Sequence, residues 1–225
     1  ETTVWDHCAQ LIEAGKLRWD EKLCKLFNVP PDALPEVREN SARFGETHAD
    51  GIFSHPVPIV GVMGDSQASL FAQCCFQPGT AKATFGTGTF VLLNIGGKLP
   101  PSPKSAVTAL AWVVNGKPTY AYEGIINFSA ATIAWLQNQL GLIQHASEAE
   151  KVALSVADNG GVYLVPAFAG LSAPYWSPDA RAAILGMSGH TRKEHLVRAA
   201  LESIAYQIRD VLDAMRVDSK IKLQK

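Results

Sequence analysis

No stretch of this 225-residue chain approaches the roughly 20 consecutive apolar residues that cross a bilayer as a helix. A helical membrane span is therefore not expected. Positive charge is not in excess either: 20 Lys and Arg stand against 21 Asp and Glu, a net charge of −1. A nucleic acid or an anionic membrane surface would demand clustered cations, so neither is expected as a partner. Cysteine is scarce, at Cys8, Cys24, Cys74 and Cys75. The adjacent Cys74 and Cys75 lack metal-ligand spacing and make a poor disulfide pair, so no metal site is expected. Reduced, buried thiols in a cytoplasmic protein are the expectation. The opening ETTVWDHCAQ has neither the basic region nor the apolar core of a secretory leader. Missing too are G-x-x-x-x-G-K-[ST] and G-x-G-x-x-G, the glycine loops of P-loop and dinucleotide-binding folds.

What is present is globular material, 47% hydrophobic and 18% charged, with length enough for one large or two small domains. WDEKLCKLFNV (19–29) reads as a helix with Asp20 near its start and Leu23, Leu26 and Phe27 on one face. The prolines of PPDALP then stop it. VPIVGVMG (57–64) is a short, two-sided apolar run, as expected of a buried strand, and SQASLFAQCC continues as a helix. AKATFGTGTFVLLNIG turns at Gly86-Thr87-Gly88 and reads as a hairpin. Asn115-Gly116 between two β-rich runs predicts a second hairpin. FSAATIAWLQNQLG is a helix that stops at Gly141, and GVYLVPAF is a strand. RKEHLVRAALESIAYQIRDVLDAMRV (192–217) is a long helix with an apolar stripe at Leu196, Ala200, Ile204, Ile208, Val211 and Met215. The texture changes near residue 74, helical before and hairpin-rich after, which marks the expected domain boundary.

Two features carry chemistry. Asp65 stands where an apolar run gives way to a helix. Its carboxylate can cap that helix, or it can be a general base that takes a proton from an attacking hydroxyl. Gly86-Thr87-Gly88 can be a plain turn, or a cradle whose N–H groups and Thr87 hydroxyl meet an anion with no Cβ in the way. His55 and His195 have no partner at ligand spacing and are read as structural. Trp176 is read as packing a loop, Arg181 as pairing with Asp179, Lys82 as an exposed cation, and Glu202 as a structural hydrogen-bonding group.

GDSQASLFAQCCFQPGTAKATFGTGTFVLLNIG (64–96) resembles the central segment of the FGGY family of carbohydrate kinases, nearest its glycerol-phosphorylating members. The likeness extends to LFNVPPDALPEVRENSARFGET and to the ordered run VPAF, APYW and PDAR, and it covers nearly the whole chain. It implies an α/β protein with an actin-like (ribonuclease-H-like) ATPase fold, of which the chain is a slice. Residues 1–74 would end the N-terminal domain and 75–225 would begin the C-terminal one. It implies ATP with Mg²⁺, a small polyol or sugar acceptor, and a homo-oligomeric full-length protein. Asp65 would be the base. Asp65, Ser66 and Phe90 would contact the acceptor, and Gly86, Thr87 and Ala130 the nucleotide. Ser66 replaces the Gln usual in glycerol-phosphorylating members, and Ala130 replaces a Gly. Ser66 therefore leaves a kinase for another polyol or a ketose open, and Ala130 a non-catalytic nucleotide binder. The family's first phosphate loop, its Arg-Glu pair for the polyol and its adenosine-binding Gly-Gly are not in the chain, so the fragment alone is expected to be inactive.

Overall fold

Two hairpins laid side by side make the central sheet, and a long helix closes one of its faces. The computed structural model describes residues 18–48, 52–99 and 103–224. In the first hairpin β3 (Ala81–Phe85) turns into β4 (Thr89–Gly96); in the second, β5 (Val107–Val114) turns into β6 (Lys117–Ile126). The strands are antiparallel in the order β3-β4-β6-β5. Asn115 and Gly116 both adopt positive φ, 53° and 69°. A two-residue turn of this hand matches the twist of the strands it joins, as the Asn-Gly pair predicts.

The sheet is covered on both faces. Leu92 looks towards α2 (Asp65–Ala72) and packs with its Leu70, and with Cys75, Ala111, Trp112 and Ala121. The opposite face presents Val91, Leu93, Tyr120, Tyr122 and Ile126 to Val211 and Met215 of α5 (Lys193–Ser219). Complete burial of a side chain such as Leu70 or Leu92 contributes about 1.5–3 kcal/mol. The N-terminal half of α5 serves a second core. There Val197 and Ala200 meet α3 (Ala130–Asn138), α4 (Ala149–Leu154) and the pair β7 (Tyr163–Val165) with β8 (Ala183–Leu185). Near its other end, Asp218 accepts from the Lys104 and Ser105 N–H groups and the Ser105 hydroxyl, pinning the approach to β5.

Four expectations are corrected. The first helix, α1 (Glu21–Leu26), is capped by Asp20 as predicted, but it buries Cys24 and leaves Leu26 and Phe27 exposed. The helix ends where Asn28 turns left-handed at φ 54° and Val29 N–H reaches back to the Cys24 carbonyl. The run 57–64 is not a buried strand. Only Pro58–Ile59 (β2) pairs, with Gly45–Glu46 (β1), and Val57, Ile59, Val60 and Val62 are exposed. A two-sided apolar strand needs a layer on each face, and among the described residues this ribbon has none. Cys74, expected buried, is exposed at a positive-φ turn after α2, whereas Cys24 and Cys75 are buried. Arg181 donates to the carbonyls of Pro178 and Ala180 rather than to Asp179.

Candidate active site

The geometry at Asp65 favours neither simple reading of the sequence. The N-cap of α2 is Gly64, and Asp65 is the first helical residue. Its Oδ1 accepts the N–H of Ser66, the next residue, at 2.6 Å, instead of an N–H two or three positions on. The carboxylate is exposed, and Oδ2 has no hydrogen-bond partner among the described residues. One oxygen is thus fixed and the other is free to accept. Gly64 leaves room for this turn: a Cβ there would lie 2.7 Å from Oε1 of the buried Gln67.

Strand register places the neighbours. Lys82 pairs with Leu92, and Leu92 with Glu123, so the three lie in one row across the sheet. Thr84, Phe90 and Ile125 form the next row. Side chains alternate along a strand, so both rows share the face on which α2 sits. Asp65, Lys82, Phe90 and Glu123 are therefore drawn to one side of the sheet. Phe90 stays partly exposed there, as a wall for a ligand's carbon atoms would be. Ser66 is half-buried in the first turn of α2.

The Gly-Thr-Gly turn is docked on α3. Its carbonyls accept the N–H groups that a helix start leaves unpaired: Ser129 and Ala131 donate to Thr87 O, and Ala130 donates to Gly86 O at 3.1 Å. Thr89 Oγ1 donates to Ser129 Oγ beneath the turn. Gly86 N–H is engaged by Gly88 O, so the open cradle expected from the sequence is narrower in fact. What the turn offers a ligand is the N–H and hydroxyl of exposed Thr87, which have no partners among the described residues. The methyl of exposed Ala130 lies at the helix start beside it. Gly88 is required, because a Cβ there would overlap the Ile126 carbonyl oxygen; a Cβ at Gly86 would meet nothing nearer than 3.7 Å.

The remaining residues behave structurally. His195 Nδ1 accepts the Arg192 N–H at the start of α5. His55 rests on Ser54 in an exposed loop. Glu202 joins Asn159, Arg198 and Tyr206. Trp176 Nε1 donates to Lys104 O. Lys82 is the residue that sequence reasoning missed: it is 6% exposed and donates to Thr84 Oγ1 at 2.8 Å. Burial pushes its ammonium below the usual lysine range, against the pull of Glu123, Asp65 and Cys75. Nothing at position 82 itself signals this burial; it follows from the strand register with Leu92.

Two family models together cover most of the chain. The model of the FGGY family of carbohydrate kinases, C-terminal domain, matches residues 81–225, and that of the N-terminal domain matches 8–72. The chain belongs to the FGGY family of carbohydrate kinases. It is 51% identical over 214 residues to a glycerol kinase of Desulfitobacterium hafniense, covering 95% of this chain and 43% of that one. A glycerol kinase of Carboxydothermus hydrogenoformans is 52% identical over 209 residues, at 93% and 42% coverage. The crystal structure of Plasmodium falciparum glycerol kinase with ADP superposes with a TM-score of 0.86 at 39% identity, covering 95% of this chain and 43% of that one. The chain thus spans less than half the length of these relatives. The fold is mixed α/β and belongs to the actin-like ATPase class, as the sequence resemblance implied.

Proposed function

We propose that the full-length protein is an ATP-dependent kinase of a small polyol, with glycerol as the acceptor. The observation that carries this reading is Asp65, with one carboxylate oxygen fixed and the other free, on the side of the sheet that bears Phe90. The identity of about half to glycerol kinases supports glycerol as the acceptor.

In this reading the Asp65 carboxylate accepts the proton of the acceptor hydroxyl as its oxygen attacks the γ-phosphorus of ATP. The new O–P bond forms as the bond to the bridging β,γ-oxygen breaks, leaving ADP and a phosphorylated polyol. Phosphoryl transfer asks little covalent help of a protein and much positioning. Phe90 lines the carbon backbone, and Ser66 borders the hydroxyls. Thr87 meets the phosphates with its N–H and hydroxyl, beside Gly86, on the turn that Gly88 permits, and Ala130 lies close to the nucleotide. Among the described residues no three His, Cys, Asp or Glu side chains gather at metal-binding distance. That suits Mg²⁺ carried by the triphosphate, where it neutralises phosphate charge. We read residues 1–74 and 75–225 as parts of two domains, with α2 on the first and packed on the sheet of the second. Closure of one on the other would exclude water, the competing acceptor. The same reading has the enzyme cytoplasmic and homo-oligomeric.

Glycerol-dependent ADP release by the full-length protein tests it. Asp65→Asn keeps the size of the side chain but cannot take the proton, and kcat should fall about 10²–10⁴-fold with ATP binding intact. Near-normal turnover would reduce Asp65 to a helix-start residue. Activity on a ketose or another polyol in place of glycerol would move the substrate assignment to Ser66.

A further inference from the structure

β5 is an outer strand of the sheet, so its free side carries N–H and C=O groups that β6 cannot take. Val113 lies opposite Pro118, which has no N–H to give back. One residue meets the polar groups of Val113 from the free side. Asn40 N–H donates to Val113 O at 3.1 Å, and Asn40 Oδ1 accepts Val113 N–H at 2.7 Å. Asn40 treats Val62 in the same way. Its carbonyl accepts Val62 N–H at 3.1 Å, and its Nδ2 donates to Val62 O at 2.9 Å. Its neighbour Glu39 accepts the N–H of Gly116 at 2.8 Å, in the turn that follows β5. Asn40 thus stands as a one-residue strand between the sheet and the segment that leads into α2. An amide offers an acceptor to the N–H and a donor to the carbonyl at once, so these partners fix which way the side chain is turned.

We propose that Asn40 is a positioning residue for Asp65, acting through Val62. This rests on Asp65 being the base of a phosphotransferase. Only Met63 and the N-cap Gly64 lie between Val62 and Asp65. Met63 packs against the core of Leu70, Leu92 and Trp112, and Leu70, on the far side of Asp65, is fully buried in it. The carboxylate is therefore held between two anchors on one sheet, a polar one at the edge of β5 and an apolar one over β4. The apolar anchor is non-directional and does not by itself specify the angle of α2. The hydrogen bonds at Val62 are directional, and they fix the line along which the chain enters the helix. Asn40 touches no reacting atom in this scheme. Its contribution is the aim of the free Asp65 oxygen.

The test uses the full-length protein with Asn40→Asp and Asn40→Ala. Asp keeps the acceptor for Val113 N–H but sets an oxygen against Val62 O in place of the donor; Ala loses both bonds. In each variant kcat should fall on the order of ten- to a hundredfold, as for a base displaced by up to about 1 Å, with little change in KM for glycerol or ATP. A clamp that serves stability alone predicts that Asn40→Asp, which keeps its hold on β5, retains wild-type kcat, and that result overturns the proposal. A second readout does not depend on turnover. In Asn40→Asp the backbone amides of residues 62–68 should exchange hydrogen faster, while those of β4 and β6 keep their protection. Unchanged exchange over 62–68, or equal loosening of the whole sheet, would overturn the proposal even if the protein phosphorylated no polyol. Loosened 62–68 in a protein without kinase activity would instead sink the phosphotransferase reading and leave the hold of Asn40 on Val62 standing. Activity lost in Asp65→Asn but normal in both Asn40 variants would do the reverse.

Discussion

Gly124→Ala is the sharpest test of how α5 is seated on the sheet. Gly124 lies in β6 opposite Val91, on the face that α5 covers. A Cβ at this position would overlap Val211 Cγ1 and come within 2.8 Å of Met215 Cε. Its φ lies outside the positive range, so backbone strain plays no part and the penalty is one of packing alone. Overfilling a packed core by one methyl costs about 1–3 kcal/mol, because the interior has no free volume to give. At about 2–4 °C per kcal/mol for a unit of roughly 150–250 residues, the melting temperature of the part that holds this sheet should drop by about 2–12 °C. The companion variant is Val211→Ala, which removes the methyl in the way and is itself destabilising through lost burial. If the contact is as described, the double variant should be more stable than the sum of the two single effects by about 1 kcal/mol or more, read from urea midpoints. Strict additivity would mean that α5 does not approach β6 closely at Gly124, and the seating argued here would be wrong.

Gly88→Ala should disturb the hairpin and weaken ATP binding, because the added methyl meets the Ile126 carbonyl, whereas Gly86→Ala should leave stability within about 0.5 kcal/mol; differential scanning fluorimetry with and without ATP separates them. Hydrogen bonds from Ser105 and Lys104 hold Asp218 below the ordinary aspartate value of 3.8. Its folded form is depressed, so its contribution is present above the unfolded value and fades as pH falls through the folded one; Asp218→Asn should lower stability at neutral pH and flatten the acid limb of a melting-temperature profile. Among the described cysteines, iodoacetamide should modify exposed Cys74 before buried Cys24 and Cys75, an order that peptide mass spectrometry reads directly.

Local rules reached the hairpins because both turns are decided by residues inside them. Asn115-Gly116 supplies the two positive φ values its turn needs, and Gly88 supplies the close approach to Ile126. The long stripe of α5 was legible for the same reason, since a 3.6-residue period needs no partner to be seen. The failures share a different cause. The run 57–64 reads as buried on composition, but burial is a property of what lies over it. The face of α1 was misjudged because a six-residue helix is too short for its apolar spacing to decide which side is covered, and Cys24 is the side chain it buries. Lys82 was missed because its burial follows from cross-strand register with Leu92 and from a helix laid above it, neither of which is written at residue 82.

The site's dependence on α2 follows from these contacts. Asp65 begins a helix of eight residues whose buried anchor is Leu70, and Leu70 packs into the sheet core with Leu92 and Ala121. Leu92 is also the middle residue of the row that carries Lys82 and Glu123. The apolar contact that seats Asp65 and the strand pairing that places Lys82 and Glu123 therefore meet at one side chain. A substitution at Leu70 that only shortens it should act on kcat through the placement of Asp65 before it acts on global folding, because α2 is held by few contacts and the four-stranded sheet by many. The position of the Asp65 carboxylate is thus tied to a leucine buried in the sheet core.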